Sequence, residues 1–358
     1  MVRLHSQGSA WFERDGEGAL ATRPHPGRSL ADPVAAGRQQ RQRAWRAQQA
    51  AGIELIGVAD VGWGDRVLAH SYLVGQVAGG EALEEASQVR QARAPWFSGE
   101  LTYRIPEFSR DQAFALGWDQ LFVEVAEARA LGLAVKPAIL GPLSYLWLGQ
   151  ALDSAFDRLE LLERLLPVYG EIFARLAAQG VEWVHIDEPL LSLELPLAWR
   201  TAFERAYNLL QREPLKKLLA VRGGELSDNL GLATGLPVEG LHVDWPTTVQ
   251  AQQGLLDRLP AYKTLSLGLI EQHDADTRAG ERRLQFARQA GERLKERLWL
   301  APDQAWSTTA EAAFGELVRA ARTAAEAKPA VAGNEDRSWS AIEAALAKLG
   351  AQAGLASH

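Results

Sequence analysis

Short apolar runs alternate with amphipathic stretches along most of the chain. Ile53–Asp60 (IELIGVAD), Ala134–Leu140 (AVKPAIL), Trp183–Asp187 (WVHID), Leu218–Val221, Leu241–Trp245 (LHVDW), Thr264–Ile270 (TLSLGLI) and Leu298–Ala301 read as strands. Between them, helical spacing of apolar residues predicts helices over Leu116–Leu131, Leu159–Ala178, Leu197–Leu210, Gln250–Leu259 and Thr277–Lys295. The stripe Leu162, Leu165, Leu166, Tyr169, Phe173 and Leu176 is the clearest of these, and Pro167 within it predicts a kink or two helices. Strands that are apolar on both faces and separated by helices imply a parallel sheet wrapped by helices. So many units favour a single closed (β/α)8 barrel, an α/β fold. An open doubly wound sheet would need a glycine-rich phosphate loop, which is not found.

Outside this alternation lie an irregular segment over residues 1–36 and a linker, short helix and tail over residues 328–358; the barrel takes residues 37–327. Short strands at Val2–Leu4 and Ala10–Phe12 fit the first segment. Thr308-x-x-Glu311 forms a capping box for a helix reaching Ala327. The stretch Gly37–Ala51, with Arg38, Arg41, Arg43 and Arg46, reads as a helix with a solvated basic face rather than a docking surface.

Composition narrows the function. The 358 residues are 47% hydrophobic and 23% charged, enough to build a large core, and most of the 12 tryptophans are expected inside it. Lys plus Arg number 38 against 45 for Asp plus Glu, a formal charge of -7, so no basic surplus offers itself to nucleic acid. No apolar run approaches a membrane span and no leader pattern opens the chain, which makes the cytoplasm the expected compartment. Cysteine is absent, which rules out disulfides, thiol nucleophiles and thiolate-bound zinc within this chain.

In parallel barrels functional groups gather where strands end. His185-Ile186-Asp187-Glu188-Pro189 is the leading candidate, since period two puts His185 and Asp187 on one face. His242 and Asp244 repeat the spacing, and Asp60, Trp63 and Asp65 follow another strand end. These groups could hold a divalent metal through His185, Asp187, His242 and Asp244, bind a cationic amine, or hydrogen-bond one another and close the mouth. Trp96-Phe97 and Gly141–Trp147 add aromatic groups that could face a flat ligand or serve packing. No serine triad pattern, P-loop or H-E-x-x-H motif is present.

Particular strings carry a resemblance. LAVKPAILGPLSYLWLG, LPVY, VEWVHIDEPLLSLELPLAW and LPVEGLHVD, flanked by AGIELIGVADVGWGDRVL, YRIPEF and LSLGLI, run in the order found in the amino-terminal half of cobalamin-independent methionine synthases. The chain resembles that half over roughly residues 38–300. The resemblance implies one of two similar barrels, which together move a methyl group from a methyltetrahydropteroyl polyglutamate to homocysteine. In that family the other barrel carries zinc on His, Glu and Cys, because a thiolate and not a thiol is the nucleophile. The supporting half helps hold the folate tail. Asp187, Glu188, His242, Asp244, Asp60, Trp63 and Asp65 carry over as features of its mouth.

Three departures follow. The family's opening basic segment has no match in residues 1–35. Its Lys-Trp-Phe stands here as Pro95-Trp96-Phe97, with Glu100 adding charge of the wrong sign for polyglutamate. The zinc ligands cannot be assembled without cysteine. No intrinsic cofactor is therefore expected; zinc would come through a separate zinc-bearing barrel or a rebuilt His/Asp site. Three functions remain open in that order: a partner to such a barrel in methyl transfer, a non-catalytic protein binding an amino acid or pterin, and an enzyme with a rebuilt metal site.

Overall fold

The computed structural model describes residues 3–4, 33–50, 52–59, 65–77, 93–95, 102–270 and 277–302. Strand β1 (Arg3–Leu4), helix α1 (Pro33–Ala50), strand β2 (Ile56–Val58) and helix α2 (Arg66–Leu73) come first. Then come the short strands β3 (Arg93–Pro95), β4 (Thr102–Arg104) and β5 (Glu107–Phe108). Helix α3 (Gln120–Ala130) leads into strand β6 (Val135–Leu140), helix α4 (Pro142–Leu148) and strand β7 (Gln150–Ala151). Helix α5 (Leu162–Ala178), strand β8 (Trp183–Asp187), helix α6 (Leu197–Leu210), strand β9 (Lys216–Val221) and helix α7 (Leu230–Gly235) follow. Strand β10 (Gly240–Val243), helix α8 (Val249–Arg258), strand β11 (Thr264–Ile270), helix α9 (Thr277–Leu294) and strand β12 (Leu298–Pro302) complete the described order.

Two compact units are formed. One draws on Met1–Gly57, Trp245–Gln252 and Thr264–His358, and within it β1, β12 and β11 pair in parallel in that order. The other, Val58–Asp244 with Gln253–Lys263, holds β6, β8, β9 and β10 in parallel. Its register sets Leu140 beside Asp187, Asp187 beside Ala220, and Ala220 beside His242. Residues along β6, β8 and β10 are buried throughout, as expected for strands covered on both faces. Helix α5 buries Leu162, Leu165, Leu166, Tyr169, Phe173 and Leu176, each such side chain contributing about 1.5–3 kcal/mol.

Several expectations are corrected. Helix α5 is one unbroken helix through Pro167. The proline is exposed, and the carbonyl it leaves unbonded belongs to exposed Glu163, where water can serve it. Helix α3 starts at Gln120 rather than Leu116, and the aromatic segment after Gly141 is helix α4, opened by Pro142 in its first turn. Helix α1 is not merely a solvated basic face, because Arg41, Ala44, Trp45 and Gln48 form a buried stripe at helical spacing. The antiparallel pair β3 and β4 and the parallel pair β5 and β7 were not foreseen. Ala10–Phe12 and the capping box at Thr308 lie outside the described residues. Among the described residues no helix is long and apolar enough to cross a membrane.

Candidate functional site

Strand β8 ends in His185-Ile186-Asp187, all buried, and its alternation puts His185 and Asp187 on the same face. His185 Nε2 lies 2.9 Å from Asp187 Oδ1, and Lys136 Nζ, from β6, lies 2.8 Å from His185 Nδ1. An ammonium can only donate, so Nδ1 accepts and the ring proton sits on Nε2, donated to Asp187. Burial, reinforced by the Lys136 charge, lowers the His185 pKa to about 3, which keeps the ring neutral. Asp187 Oδ2 accepts from the guanidinium groups of Arg66 and of Arg222, the latter at 3.1 Å. Burial opposes the Asp187 charge, but Arg222, Arg66 and His185 together hold its pKa well below the ordinary value. His242 occupies the same row two strands away, with only Ala220 between, and its ring centre stands 6.4 Å from that of His185. Asp244 turns Oδ2 onto the Gly223 N–H at 2.7 Å and leaves Oδ1 3.7 Å from His242 Nε2.

Glu188 follows Asp187 and turns the other way. Its fully buried carboxyl accepts from the N–H groups of Leu143 at 3.2 Å and Ser144 at 2.8 Å, capping α4. Tyr207 of α6 donates to it at 3.1 Å. Burial raises the Glu188 pKa to about 7, against the pull of these hydrogen bonds. Nearby, Tyr169 Oη donates to the Leu140 carbonyl at 2.6 Å and therefore accepts from His70 Nε2 at 2.7 Å. Burial first, then Arg66, lowers the His70 pKa to about 3.

The structure thus brings His185 and Asp187 together with His242 and Asp244 alongside, and assigns Glu188 to a helix cap. Asp65 is the N-cap of α2, accepting from Val67 and Leu68 N–H at 3.2 and 3.0 Å, and from the Arg104 N–H at 2.7 Å. Asp60, Trp63 and Trp96 lie outside the described residues. In the aromatic segment Tyr145 is buried and donates to Ser71, while Trp147 meets Trp199 edge-on at 4.8 Å. Sequence reasoning missed Arg66, Lys136 and Arg222. A lysine inside the apolar AVKPAIL and an arginine directly after β9 were the available signals.

This donor set does not fit a metal. Both ring nitrogens of His185 are engaged, and Asp187 is shared among one imidazole and two guanidinium groups. Among the described residues no three of His, Cys, Asp and Glu are placed to hold a metal ion. The arrangement instead collects cations around one buried carboxylate.

Comparison with known proteins agrees with this framework. The family model described as the N-terminal domain of cobalamin-independent synthase matches residues 31–291. A 5-methyltetrahydropteroyltriglutamate–homocysteine methyltransferase of Aeromonas salmonicida (strain A449) is 46% identical over 289 residues, covering 76% of this chain. The chain spans only 38% of that relative's length. Among solved structures, a B12-independent methionine synthase from Shewanella sp. W3-18-1 aligns over 97% of this chain and 98% of its own at TM-score 0.63 and 11% identity. A putative vitamin-B12 independent methionine synthase from Listeria monocytogenes aligns over 89% of this chain and 87% of its own at TM-score 0.56 and 13% identity. At such identities the likeness establishes the fold, an α/β arrangement of the (β/α)8-barrel kind. With the family model spanning most of the sequence, the chain belongs to the cobalamin-independent synthase N-terminal domain family.

Proposed function

We propose that this barrel is the supporting half of a methyl-transfer system, acting in transfer from a 5-methyltetrahydropteroyl polyglutamate to homocysteine only beside a separate zinc-bearing barrel. The observation that carries the reading is the 46% identity to a methyltransferase of which the chain spans 38%. The chemistry supports it. Activating homocysteine requires a thiolate held on a metal, and a chain without cysteine cannot supply the sulfur ligands of such a site. The residues at the strand ends are committed to one another rather than poised to accept or deliver a proton. Neutral His185 donates to Asp187 and accepts from Lys136, while Glu188 is shut inside a helix cap. Their role under this reading is to hold a rigid surface.

Mixing the purified chain with a separately expressed zinc-bearing barrel tests the proposal. A stable complex and a gain in methionine formation over the zinc barrel alone are expected. Conversion of homocysteine by this chain alone, or no complex and no gain, would overturn it. A second reading, a non-catalytic protein binding a small ligand, is favoured by one observation, the cationic cluster around Asp187.

A further inference from the structure

We infer that Arg158 and the recess beside it form a receptor for a monocarboxylate with an apolar body, a site apart from the strand-end cluster. Arg158 opens the 3-10 turn Arg158–Leu161, which leads into α5. Its guanidinium carbon stands 5.5 Å from the ring centre of Trp147 in α4 and 5.8 Å from that of Trp199 in α6. Among the described residues its guanidinium makes no hydrogen bond and no ion pair, and Nε is buried without an acceptor. The aromatic contacts draw on the charge and use none of the five N–H donors. The two carboxylates closest to it in sequence are occupied elsewhere. Asp157 Oδ1 accepts the Leu159 N–H at 2.9 Å, and Glu160 lies 3.8 Å from Arg110. Asp157 still acts on Arg158 through space, yet burial outweighs it and draws the Arg158 pKa below its ordinary value. The charge is under-compensated where it sits.

Space beside the charge sets the ligand class. Arg158 borders a recess of about 460 Å³, together with Ala151, Ser154, Ala155 and Phe156. Small-molecule sites commonly span about 300–1,000 Å³, so a ring with its carboxylate has room. The alanines and Phe156 supply an apolar side, and the guanidinium fork matches a carboxylate with two parallel hydrogen bonds. Asp157 and Glu160 border the same recess. Their repulsion grows with each negative charge on the ligand, which favours a single carboxylate over a phosphate dianion. Methyl transfer beside a partner barrel plays no part in this site, and the chain alone tests it, so either proposal can fail without the other.

Benzoate and benzamidinium share a shape and differ in the sign of their charge. The experiment is calorimetric titration of the full chain with each, and with phenyl phosphate, at constant ionic strength in chloride. Saturable binding of benzoate, weaker binding of phenyl phosphate and none of benzamidinium are expected. Arg158→Gln should weaken benzoate binding by roughly tenfold or more. Arg158→Lys, which keeps the charge and loses the fork, should fall between that variant and wild type. Absence of saturable benzoate binding to the wild-type chain overturns the inference. Equal binding of benzamidinium, tighter binding of phenyl phosphate, or undiminished benzoate affinity in Arg158→Gln does so too. Should Arg158→Gln fail to fold, Arg158→Lys decides, since unchanged affinity in that variant would show that the fork holds nothing.

Discussion

A Cβ placed on Gly141 would lie 2.2 Å from Cδ of Glu188, closer than any real contact. Gly141 has φ −74°, an ordinary value, so the glycine is required by space and not by backbone conformation. The Glu188 carboxyl has no room to retreat, being held by Leu143, Ser144 and Tyr207. Gly141→Ala is therefore expected to destabilise the protein by about 2–4 kcal/mol, read from urea unfolding. Combining it with Glu188→Ala should cost less than the two changes separately, because the second removes what the first collides with. Simple additivity would show that the contact is not the cause.

Asp187→Asn tests the charge arrangement. The amide keeps the shape but leaves Arg66, Arg222 and Lys136 around a neutral group. Removing one partner from a buried charge cluster typically costs about 3–5 kcal/mol, and a loss of that size in the denaturation midpoint is expected. A variant within 1 kcal/mol of wild type, roughly the value of an exposed pair, would mean that water already screens these cations.

The barrel elements were legible because their patterns are local. Helix α6 runs from Leu197 to Leu210 and strand β11 from Thr264 to Ile270, as their apolar spacing requires. The pairing of His185 with Asp187 was legible too, since period two alone places them on one face. The arginines were not. Arg66 lies 121 residues from Asp187 in sequence and Arg222 lies 35 away, so only strand order brings them together. The histidines and aspartates are visible in the sequence as neighbours on a strand, whereas the arginines beside them come from the start of α2 and from just after β9. Pro167 misled for a different reason. A proline on the wet face of a helix leaves a carbonyl that water can bond, and the stripe from Leu162 to Leu176 already set Pro167 off the buried face.

Three histidines buried among the described residues should make the protein acid-sensitive. Burial first lowers the pKa of His70 and His185 to about 3, and lowers that of His242 as well. Below pH about 6.5 the unfolded chain binds more protons at these positions than the native chain does. Stability is fully present above the unfolded value and is lost as pH falls through the window from 6.5 toward 3. Each proton contributes a slope of about 1.4 kcal/mol per pH unit. Replacing His70 with Gln should reduce the slope between pH 4 and 6 by about one proton, measured from urea midpoints. An unchanged slope would mean that His70 is protonated in the native state.

Glu188 acts in the opposite sense over part of the same range, which gives a sharper test. Burial raises its native pKa to about 7, whereas the unfolded carboxyl titrates at 4.5. Between those values the native state binds the extra proton, so this group favours the fold at low pH and opposes it as pH rises toward 7. From pH 4.5 to 6.5 it therefore cancels about one of the protons that the histidines release on folding. Glu188→Gln cannot ionise and removes the cancellation. The variant should show a steeper rise of stability with pH between 5 and 6.5 than wild type, by about 1.4 kcal/mol per unit. It should also lose stability at pH 5, because the amide keeps one acceptor oxygen and sets its N–H group against one of the two N–H donors, Leu143 and Ser144, from which the carboxyl accepts. The two effects separate cleanly, one in the slope and one in the offset. An offset with no change of slope would show that Glu188 is already ionised in the native protein at pH 5, and that the cap outweighs its burial.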